Sequence, residues 1–269
     1  MRVSKRNALF QEWLALKQNR QKRHRAGLFL IEGTTAIDRA VQHGWEIEAF
    51  VHPAQRALSP WAQAHLSSGV ARQRVEMDGE LLGELCERHE GTELLAVAKV
   101  RDRELGALEL REPWLLVVVD RPKSPGNLGS VIRSAVAFDA AALITTGHAA
   151  DPFDPACVRA SVGTLFDLPI VRLPSQAPVL EWVAEQRRRV RLSVVGTGQD
   201  GPVPLDRIDL TGNTVIVFGN ETVGLSQAYR AECDHFASLP TSSRQSSLNV
   251  SAAAAIVLYE VRRQRVRIE

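Results

Sequence analysis

The chain is poor in the residues that build disulfide frameworks and metal centres. Its 269 residues include only three cysteines, which lie far apart and form no CxxC pair: Cys86, Cys157 and Cys233. The seven histidines show no HxxxH or HExxH spacing. An odd number of scattered cysteines is typical of reduced thiols in a cytosolic protein and argues against structural zinc. We therefore expect no metal site and a cytoplasmic location.

Long apolar runs are also missing. No charge-free apolar stretch approaches the ~18 residues that a membrane-spanning helix needs. No apolar segment follows the basic N-terminus, as it would in a secretory signal. The hydrophobic content of 45% and the charged content of 24% are ordinary for a soluble globular protein. Composition thus favours a soluble protein with no membrane partner and with enough core for one large or two modest domains.

The net charge of the chain is small, but positive charge is concentrated at both ends. The net charge is +2, yet residues 1–26 hold eight Lys and Arg against one Glu, and residues 262–269 hold four Arg against one Glu. The middle of the chain is therefore acidic. Two basic ends on an acidic body indicate a polyanionic partner. We predict that RNA phosphates bind the densest cluster, Arg20, Lys22, Arg23 and Arg25, the alternative being a solvated surface.

Strand and helix signals alternate along the whole chain, which predicts an α/β fold. We expect an RNA substrate-binding α/β domain over residues 1–105, a charged linker over 106–113 and a second domain over 114–269. The second domain opens with the apolar run 114–120, which is typical of a central parallel strand buried on both faces. Single helices are predicted over residues 4–20 and 247–264. The second is apolar almost all round and is expected to be buried.

A GxGxxG sequence at 196–201 follows a predicted strand, and Glu221 lies twenty residues beyond its last glycine. A dinucleotide-binding site in an oxidoreductase is therefore an alternative function. The segment 202–208 argues against it, because it is short, contains two prolines and leaves no room for a crossover helix. We predict instead an irregular loop whose glycines allow a ligand to approach the backbone.

Three motifs follow one another in the second domain. They are NxGxxxR at residues 127–133, FGNExxGLS at 218–226, and SSLNVSxAxAI at 246–256. Asn127 is expected at or just before a helix N-cap, and Arg133 on the helix itself, where an Arg on an apolar helix is either paired in the interior or directed at an anion. Together and in this order, the motifs resemble those of the SpoU (TrmH-like) RNA 2'-O-ribose methyltransferases of the SPOUT superfamily, over residues 114–265.

The resemblance implies a methyltransferase domain with a trefoil knot, a homodimer formed through the knotted region and S-adenosyl-L-methionine as cofactor. It implies a catalytic set of Arg133, Asn127, Glu221, Ser247 and Asn249. It implies cofactor contacts, largely through backbone groups, by Thr197, Gly198, Gly219, Asn220, Gly224, Leu239, Leu248 and Asn249. A guanidinium is a poor general base, so a stabilising role of Arg133 toward phosphate and the developing alkoxide is its other interpretation.

The segment 27–33, after the basic cluster, resembles the small ribosomal-protein-like substrate-binding domain of rRNA-modifying members. This favours rRNA, above all 23S rRNA, as substrate over tRNA. Two alternatives stay open beside the oxidoreductase: a tRNA 2'-O-methyltransferase, and a non-enzymatic RNA-binding protein on the same fold.

Overall fold

The computed structural model describes residues 1–87, 92–148, 150–242 and 248–266. The chain forms two units, each with its own sheet. The first contains residues Met1–Arg101 and Asp151–Asp167, and the second contains Asp102–Ala150 and Leu168–Glu269. The division differs from the expected one, because residues 151–167 leave the second part of the sequence and pack with the first unit.

The first unit is built on a mixed five-stranded sheet in the order β1-β4-β3-β5-β2. Strand β5 is antiparallel to both of its neighbours, and the remaining pairs are parallel. The strands are β1 Arg2–Val3, β2 Leu28–Glu32, β3 Ile47–Pro53, β4 Gln73–Met77 and β5 Leu95–Lys99. The helices are α1 Ala8–Gln18, α2 Arg20–Ala26, α3 Thr34–Gln42, α4 Pro60–Ser67, α5 Gly79–Leu85 and α7 Pro155–Ala160.

The expected single helix over residues 4–20 is two helices. Asn19 takes an extended conformation that ends α1, and its side chain accepts a hydrogen bond from the Lys22 backbone and so begins α2. Gly27 closes α2 with a φ of 63°. The break turns the basic cluster into a helix of its own, separate from the α1 face that buries Phe10 and Trp13.

The segment 151–167 joins the first unit through an aromatic cluster. Phe153 and Phe166 of this segment pack against Phe29 of β2 and against Trp45, with ring centroids 4.8–6.3 Å apart. The Trp45 indole also donates to the backbone carbonyl of Phe166 at 3.2 Å. Buried aromatic pairs stabilise a fold by more than their buried area alone. Residues 151–167, which we call the crossing segment, are therefore an integral part of this unit.

The second unit is built on a seven-stranded sheet in the order β10-β12-β9-β11-β6-β7-β8, and every pair in it is parallel. The strands are β6 Leu115–Asp120, β7 Ala142–Thr146, β8 Ile170–Leu173, β9 Leu192–Thr197, β10 Val203–Pro204, β11 Asn213–Phe218 and β12 His235–Ser238. The helices are α6 Pro125–Ala137, α8 Ala177–Gln186, α9 Gln227–Glu232 and α10 Val250–Val266. All residues of β6 and β11 are buried, as expected for central parallel strands.

Helices α6 and α10 lie side by side and run parallel. Asn249, just before α10, contacts Asn127 in the first turn of α6, and Tyr259 contacts Phe138 at the α6 C-terminus. One face of α10 is buried, but Ile256 and Tyr259 are 47% and 54% exposed. The prediction of a helix buried all round is therefore wrong, because among the described residues α10 packs mainly against α6 and its opposite face stays exposed. None of the described helices is long and apolar enough to span a bilayer.

Candidate active site

A cavity of about 620 Å³ opens at the carboxyl ends of β9, β11 and β12, beside the start of α10. We call it the motif cavity. Its walls are the loop after β9 (197–200), the loop after β11 (219–225), the residues after β12 (239–241) and the start of α10. Ligands of open parallel sheets bind at this edge, where strands end and loops diverge. The volume lies in the range of small-molecule and cofactor sites.

The fold brings most of the predicted site residues to this cavity. All eight predicted cofactor contacts line it: Thr197, Gly198, Gly219, Asn220, Gly224, Leu239, Leu248 and Asn249. Asn127 and Glu221 of the predicted catalytic set line it as well. Ser247 lies outside the described residues. Arg133 is not among the lining residues.

The glycines of the GxGxxG loop serve close packing and do not form a dinucleotide-binding motif. Strand β9 ends at Thr197 and leads, without a crossover helix, to the short β10 and a 3-10 turn at Leu205–Arg207. A Cβ on Gly198 would lie 2.4 Å from the Phe236 ring, and one on Gly201 would lie 2.4 Å from the Ala237 backbone. The glycines therefore let this loop pack closely against β12.

The loop after β11 is held closed by Asn220. Its side chain accepts hydrogen bonds from the backbone N–H of Thr222 and Val223 and donates to the carbonyl of Arg121 at 2.6 Å. A Cβ on Gly219 would lie 2.4 Å from the backbone of Gly224, whose own φ is 69°. Both glycines are therefore required by the loop itself. The Asn220 side chain is committed to the loop, and so is its backbone, which exchanges hydrogen bonds of 2.9 and 3.0 Å with the Gly224 backbone.

Asp120 and Arg121, at the end of β6, form hydrogen bonds with the same loop. The carboxylate of Asp120 is 1% exposed and accepts from the Arg121 guanidinium and from the backbone N–H of Ser226. Arg121 also donates to the Gly224 carbonyl at 3.3 Å. Its φ of 52° is unusual for a residue with a side chain. No motif drew attention to this pair, since its partners lie about a hundred positions away along the chain.

Glu221, Asn127 and Asn249 form one hydrogen-bonded chain. The Glu221 carboxylate accepts from the backbone N–H of Lys123 at 3.0 Å and of Ser124 at 3.2 Å, and from the Asn127 amide at 3.3 Å. The Asn127 oxygen accepts in turn from the Asn249 amide at 3.2 Å. Residues from all three motifs are thus joined at the cavity wall.

The Glu221 carboxylate is held in its charged form. Burial by itself would raise the pKa of Glu221, but hydrogen bonds from the Lys123 and Ser124 backbone and from Asn127 outweigh it and leave the pKa below the ordinary value of 4.5. A carboxylate with a lowered pKa is a weak base. Glu221 is therefore suited to fix the loop before α6 and the Asn127 side chain.

Of the two asparagines, Asn249 caps its helix and Asn127 does not. Ser124 is the N-cap of α6, and Asn127 lies inside the first helical turn, where its backbone N–H donates to the Ser124 hydroxyl. The expected cap position of Asn127 is therefore wrong, because Pro125 starts the helix earlier. Asn249 does cap a helix: its side-chain oxygen accepts from the Ser251 backbone at 2.8 Å, while its amide reaches Asn127.

Arg133 is exposed on α6, and within the described residues it makes no hydrogen bond or ion pair. The interior pairing considered from the sequence is therefore wrong, and direction toward an external anion remains.

Sequence reasoning missed another charged pair on the cavity wall, Asp200 and Arg230, joined at 2.9 Å. The hydrogen bonds from Arg230 hold the pKa of Asp200 below its ordinary value. Thirty positions separate these partners, and no local pattern links them.

The basic cluster of α2 is divided by the fold. Lys22 and Arg25 are exposed. Arg23 is 2% exposed, and its guanidinium donates to Asp151 at 2.7 Å and to Asp154 at 3.0 Å. The prediction that Arg23 binds RNA phosphate is therefore wrong, because two carboxylates of the crossing segment already hold its charge.

Three of the C-terminal arginines lie within the described residues, and they are also engaged within the chain, whereas Arg267 lies outside the described residues. Arg265 donates to the carbonyls of Pro113, Trp114, Leu210 and Gly212. Burial lowers the pKa of Arg265. Arg262 pairs with Asp139 at 3.1 Å, and Arg263 pairs with Glu260 at 2.6 Å. This end of the chain anchors α10 more than it offers free positive charge.

Comparison with known families agrees with the geometry of the cavity. The SpoU rRNA methylase family model matches residues 114–259, which include all three motifs. The chain belongs to the SpoU rRNA methylase family. A second family model, the SpoU L30e-like domain, matches residues 7–96. The predicted family, the α/β fold class and the enzyme class of S-adenosylmethionine-dependent RNA 2'-O-methyltransferase are thereby confirmed.

Several SpoU relatives align over nearly the whole chain. A 23S rRNA (uridine(2479)-2'-O)-methyltransferase of Streptomyces viridochromogenes is 45% identical over 98% of this chain and 93% of its own length. A 23S rRNA (guanosine-2'-O-)-methyltransferase RlmB of Pseudomonas syringae is 32% identical over 84% of this chain and 89% of its own. The crystal structure of the SpoU methyltransferase AviRb from Streptomyces viridochromogenes, in complex with AdoMet, superposes with a TM-score of 0.92 at 45% identity, covering 97% of this chain and 99% of that chain.

The motif cavity fits the cofactor of this family. Leu205, Leu225 and Val257 provide apolar surface for an adenosine, and Gly198 and Gly219 line the same cavity. Such sites combine apolar walls with a few placed polar groups. The described residues contain no group of three or more His, Cys, Asp and Glu side chains that could hold a metal ion.

Proposed function

We propose that this chain methylates a ribose 2'-hydroxyl of 23S rRNA in the cytoplasm, with the methyl donor held in the motif cavity. The observation that carries the proposal is the hydrogen-bonded chain Glu221–Asn127–Asn249, which joins all three motifs at the wall of that cavity. Support for rRNA comes from relatives named as 23S rRNA 2'-O-methyltransferases that match both units.

S-adenosylmethionine, when bound, supplies an activated methyl group on a sulfonium. The residues of the chain then have to orient the ribose oxygen and assist loss of its proton. Glu221 fixes the Asn127 side chain, and Asn249 fixes it from the other side. The Asp120–Arg121 pair and Asn220 keep the loop after β11 in one conformation, so the cavity is formed before the ligand arrives.

The predicted homodimer is supported by the exposed face of α10. Ile256 and Tyr259 are large apolar side chains that lie about half exposed next to α6. A contiguous exposed apolar surface marks an interaction site more often than a solvated one. Arg133 is exposed on the neighbouring helix and is absent from the lining of its own cavity. We infer that a second copy covers this face and that Arg133 serves the partner's cavity.

The test is methyl transfer to protein-free 23S rRNA and, separately, to bulk tRNA, with mapping of 2'-O-methylation on both. We expect modification at a single rRNA nucleotide and none in tRNA. Modification of tRNA alone would support the tRNA alternative, and RNA binding without transfer would support the non-enzymatic one. Binding of a dinucleotide without binding of S-adenosylmethionine would support the oxidoreductase alternative.

Arg133→Ala is expected to abolish transfer while leaving cofactor affinity unchanged, since Arg133 serves the reacting oxygen or a phosphate. Arg188→Ala removes an exposed charge elsewhere in the same unit and is the matched control. Co-expressed Arg133→Ala and Asn249→Ala chains should regain activity in mixed dimers if Arg133 acts on the partner. Inactive mixed dimers would place Arg133 in its own subunit's site.

A further inference from the structure

A second cavity lies in the first unit, outside every motif discussed so far. It has a volume of about 490 Å³, and we call it the N-terminal pocket. Three parts of the chain enclose it: the turn from β2 into α3 (32–36), Trp61 of α4, and residues 92–94 before β5. Arg159 and Val162 of the crossing segment complete it. The L30e-like region alone therefore gives an incomplete pocket, because two lining residues come from the part matched by the methylase model.

One wall of the N-terminal pocket is an aromatic ring in a fixed orientation. Trp61 is partly exposed, and its indole N–H donates to Asp38 at 2.7 Å. The His65 ring lies at a steep angle to the indole, with centroids 5.0 Å apart. These two contacts fix the position of the indole. Unpaired RNA bases stack on aromatic side chains presented in this way, whatever their sequence.

The charges around the N-terminal pocket select what can enter. Glu32 and Glu93 both line it, so an anion inside would face two carboxylates. Glu93 is only weakly engaged, at 3.4 Å from the Ser59 backbone and 4.0 Å from Arg56. A carboxylate in this state can accept from the amino or imino N–H of a base. The occupant that fits is therefore a neutral base and not a phosphate.

A cation at the pocket edge suits the phosphate that accompanies such a base. Arg159 lines the pocket, its side chain is 51% exposed, and its ion pair with Glu87 is long, at 4.0 Å. Val162 is 43% exposed and has a φ of 51°, a strained conformation for a β-branched residue. Strain of this kind is kept where the surrounding structure requires it, often at functional sites.

We propose that the N-terminal pocket binds one unpaired base of the RNA, stacked on Trp61 with its N–H edge toward Glu93 and its phosphate toward Arg159. The inference rests on the proposed function, since it names a part of the first unit that binds the RNA in addition to the motif cavity of the second unit. It assigns RNA recognition to a site that only the crossing segment completes.

The test compares the full-length wild type with Trp61→Ala, Trp61→Phe, Glu93→Gln and Arg159→Ala. Affinity for protein-free 23S rRNA, affinity for S-adenosylmethionine and thermal stability are measured for each. Trp61→Ala should weaken RNA binding about 5- to 150-fold, which corresponds to the loss of one stacked base. Trp61→Phe should restore most of it, and cofactor affinity should stay at the wild-type value. Arg188→Ala is the control for loss of one exposed positive charge.

Two outcomes separate this proposal from the proposed function. If folded Trp61→Ala and Glu93→Gln chains bind the RNA as tightly as wild type, the pocket proposal is overturned and the methyltransferase assignment is untouched. If the wild type binds RNA through Trp61 but transfers no methyl group, the pocket proposal stands and the proposed function fails. If the wild type does not bind the RNA, both are wrong.

Discussion

The motif cavity and the N-terminal pocket differ in how far their polar side chains are already satisfied. In the motif cavity, Glu221 accepts three hydrogen bonds of 3.0–3.3 Å from the loop before α6. In the N-terminal pocket, the contacts of Glu93 to Ser59 and Arg56 are 3.4 and 4.0 Å long, and the Arg159–Glu87 pair is also at 4.0 Å. A site whose groups are already paired suits a small ligand of constant shape. A site with weakly paired groups suits a polymer that supplies the missing partners.

The largest effect is expected where the first unit depends on a buried charge. Arg23→Ala leaves Asp151 without its buried partner, and removing one member of a buried ion pair costs about 3–5 kcal/mol of unfolding free energy. Lys22→Ala, one position away and exposed, should cost less than about 0.5 kcal/mol. Urea unfolding followed by tryptophan fluorescence measures both. Equal losses would show that Arg23 is no more structural than its neighbour.

Gly219→Val tests whether the motif cavity depends on close backbone packing. The added side chain would begin 2.4 Å from the Gly224 backbone, so the loop after β11 has to move. Overpacking of this kind costs about 1–3 kcal/mol, which corresponds to about 5- to 150-fold in cofactor affinity. Gly212→Ala is the control, since a Cβ there meets nothing within 4 Å. Titration with S-adenosylmethionine that gives wild-type affinity for Gly219→Val would move the cofactor elsewhere.

Glu221→Gln sharpens the comparison through pH. Because the folded pKa of Glu221 lies below 4.5, its charged form stabilises the folded loop, and that stabilisation is complete well above pH 4.5. It is lost as the pH falls through the folded pKa. The thermal stability of wild type should therefore exceed that of Glu221→Gln near pH 7, and the difference should narrow toward about pH 4. A constant difference over this range would mean that the charge of Glu221 is not what holds the loop.

The smallest effect is expected at the surface of α2. Neutralising Lys22 and Arg25 together should reduce the slope of RNA affinity against salt by about two counterions and lower affinity only a few-fold at moderate salt. Cofactor affinity should not change, since neither residue lines the motif cavity. Binding to 23S rRNA at several salt concentrations gives the slope. An unchanged slope would leave these side chains as solvated surface and place the RNA contacts on other residues.

Local pattern was enough for most of the fold. The alternation of strand and helix signals predicted the α/β class, and the apolar run 114–120 became the buried central strand β6. Turn and cap residues marked the boundaries, because glycine, proline and asparagine act through their own backbone preferences. The motif order was also enough to predict the family, and all eight cofactor positions carried over from it line one cavity. The knot stays a prediction.

Tertiary structure decided what local pattern cannot encode. Arg23 and Lys22 look alike in the sequence, yet only Arg23 meets two carboxylates, one of them 128 positions further along the chain. Helix α10 looks apolar on all sides, yet in the part of the chain that the structure describes Ile256 and Tyr259 remain about half exposed. The periodicity of apolar residues and the type of each residue predict which helix or strand the residue joins and how strongly it tends to be buried. Which distant segment packs against it depends on how whole elements meet, and that determines whether the same side chain becomes core, surface or site.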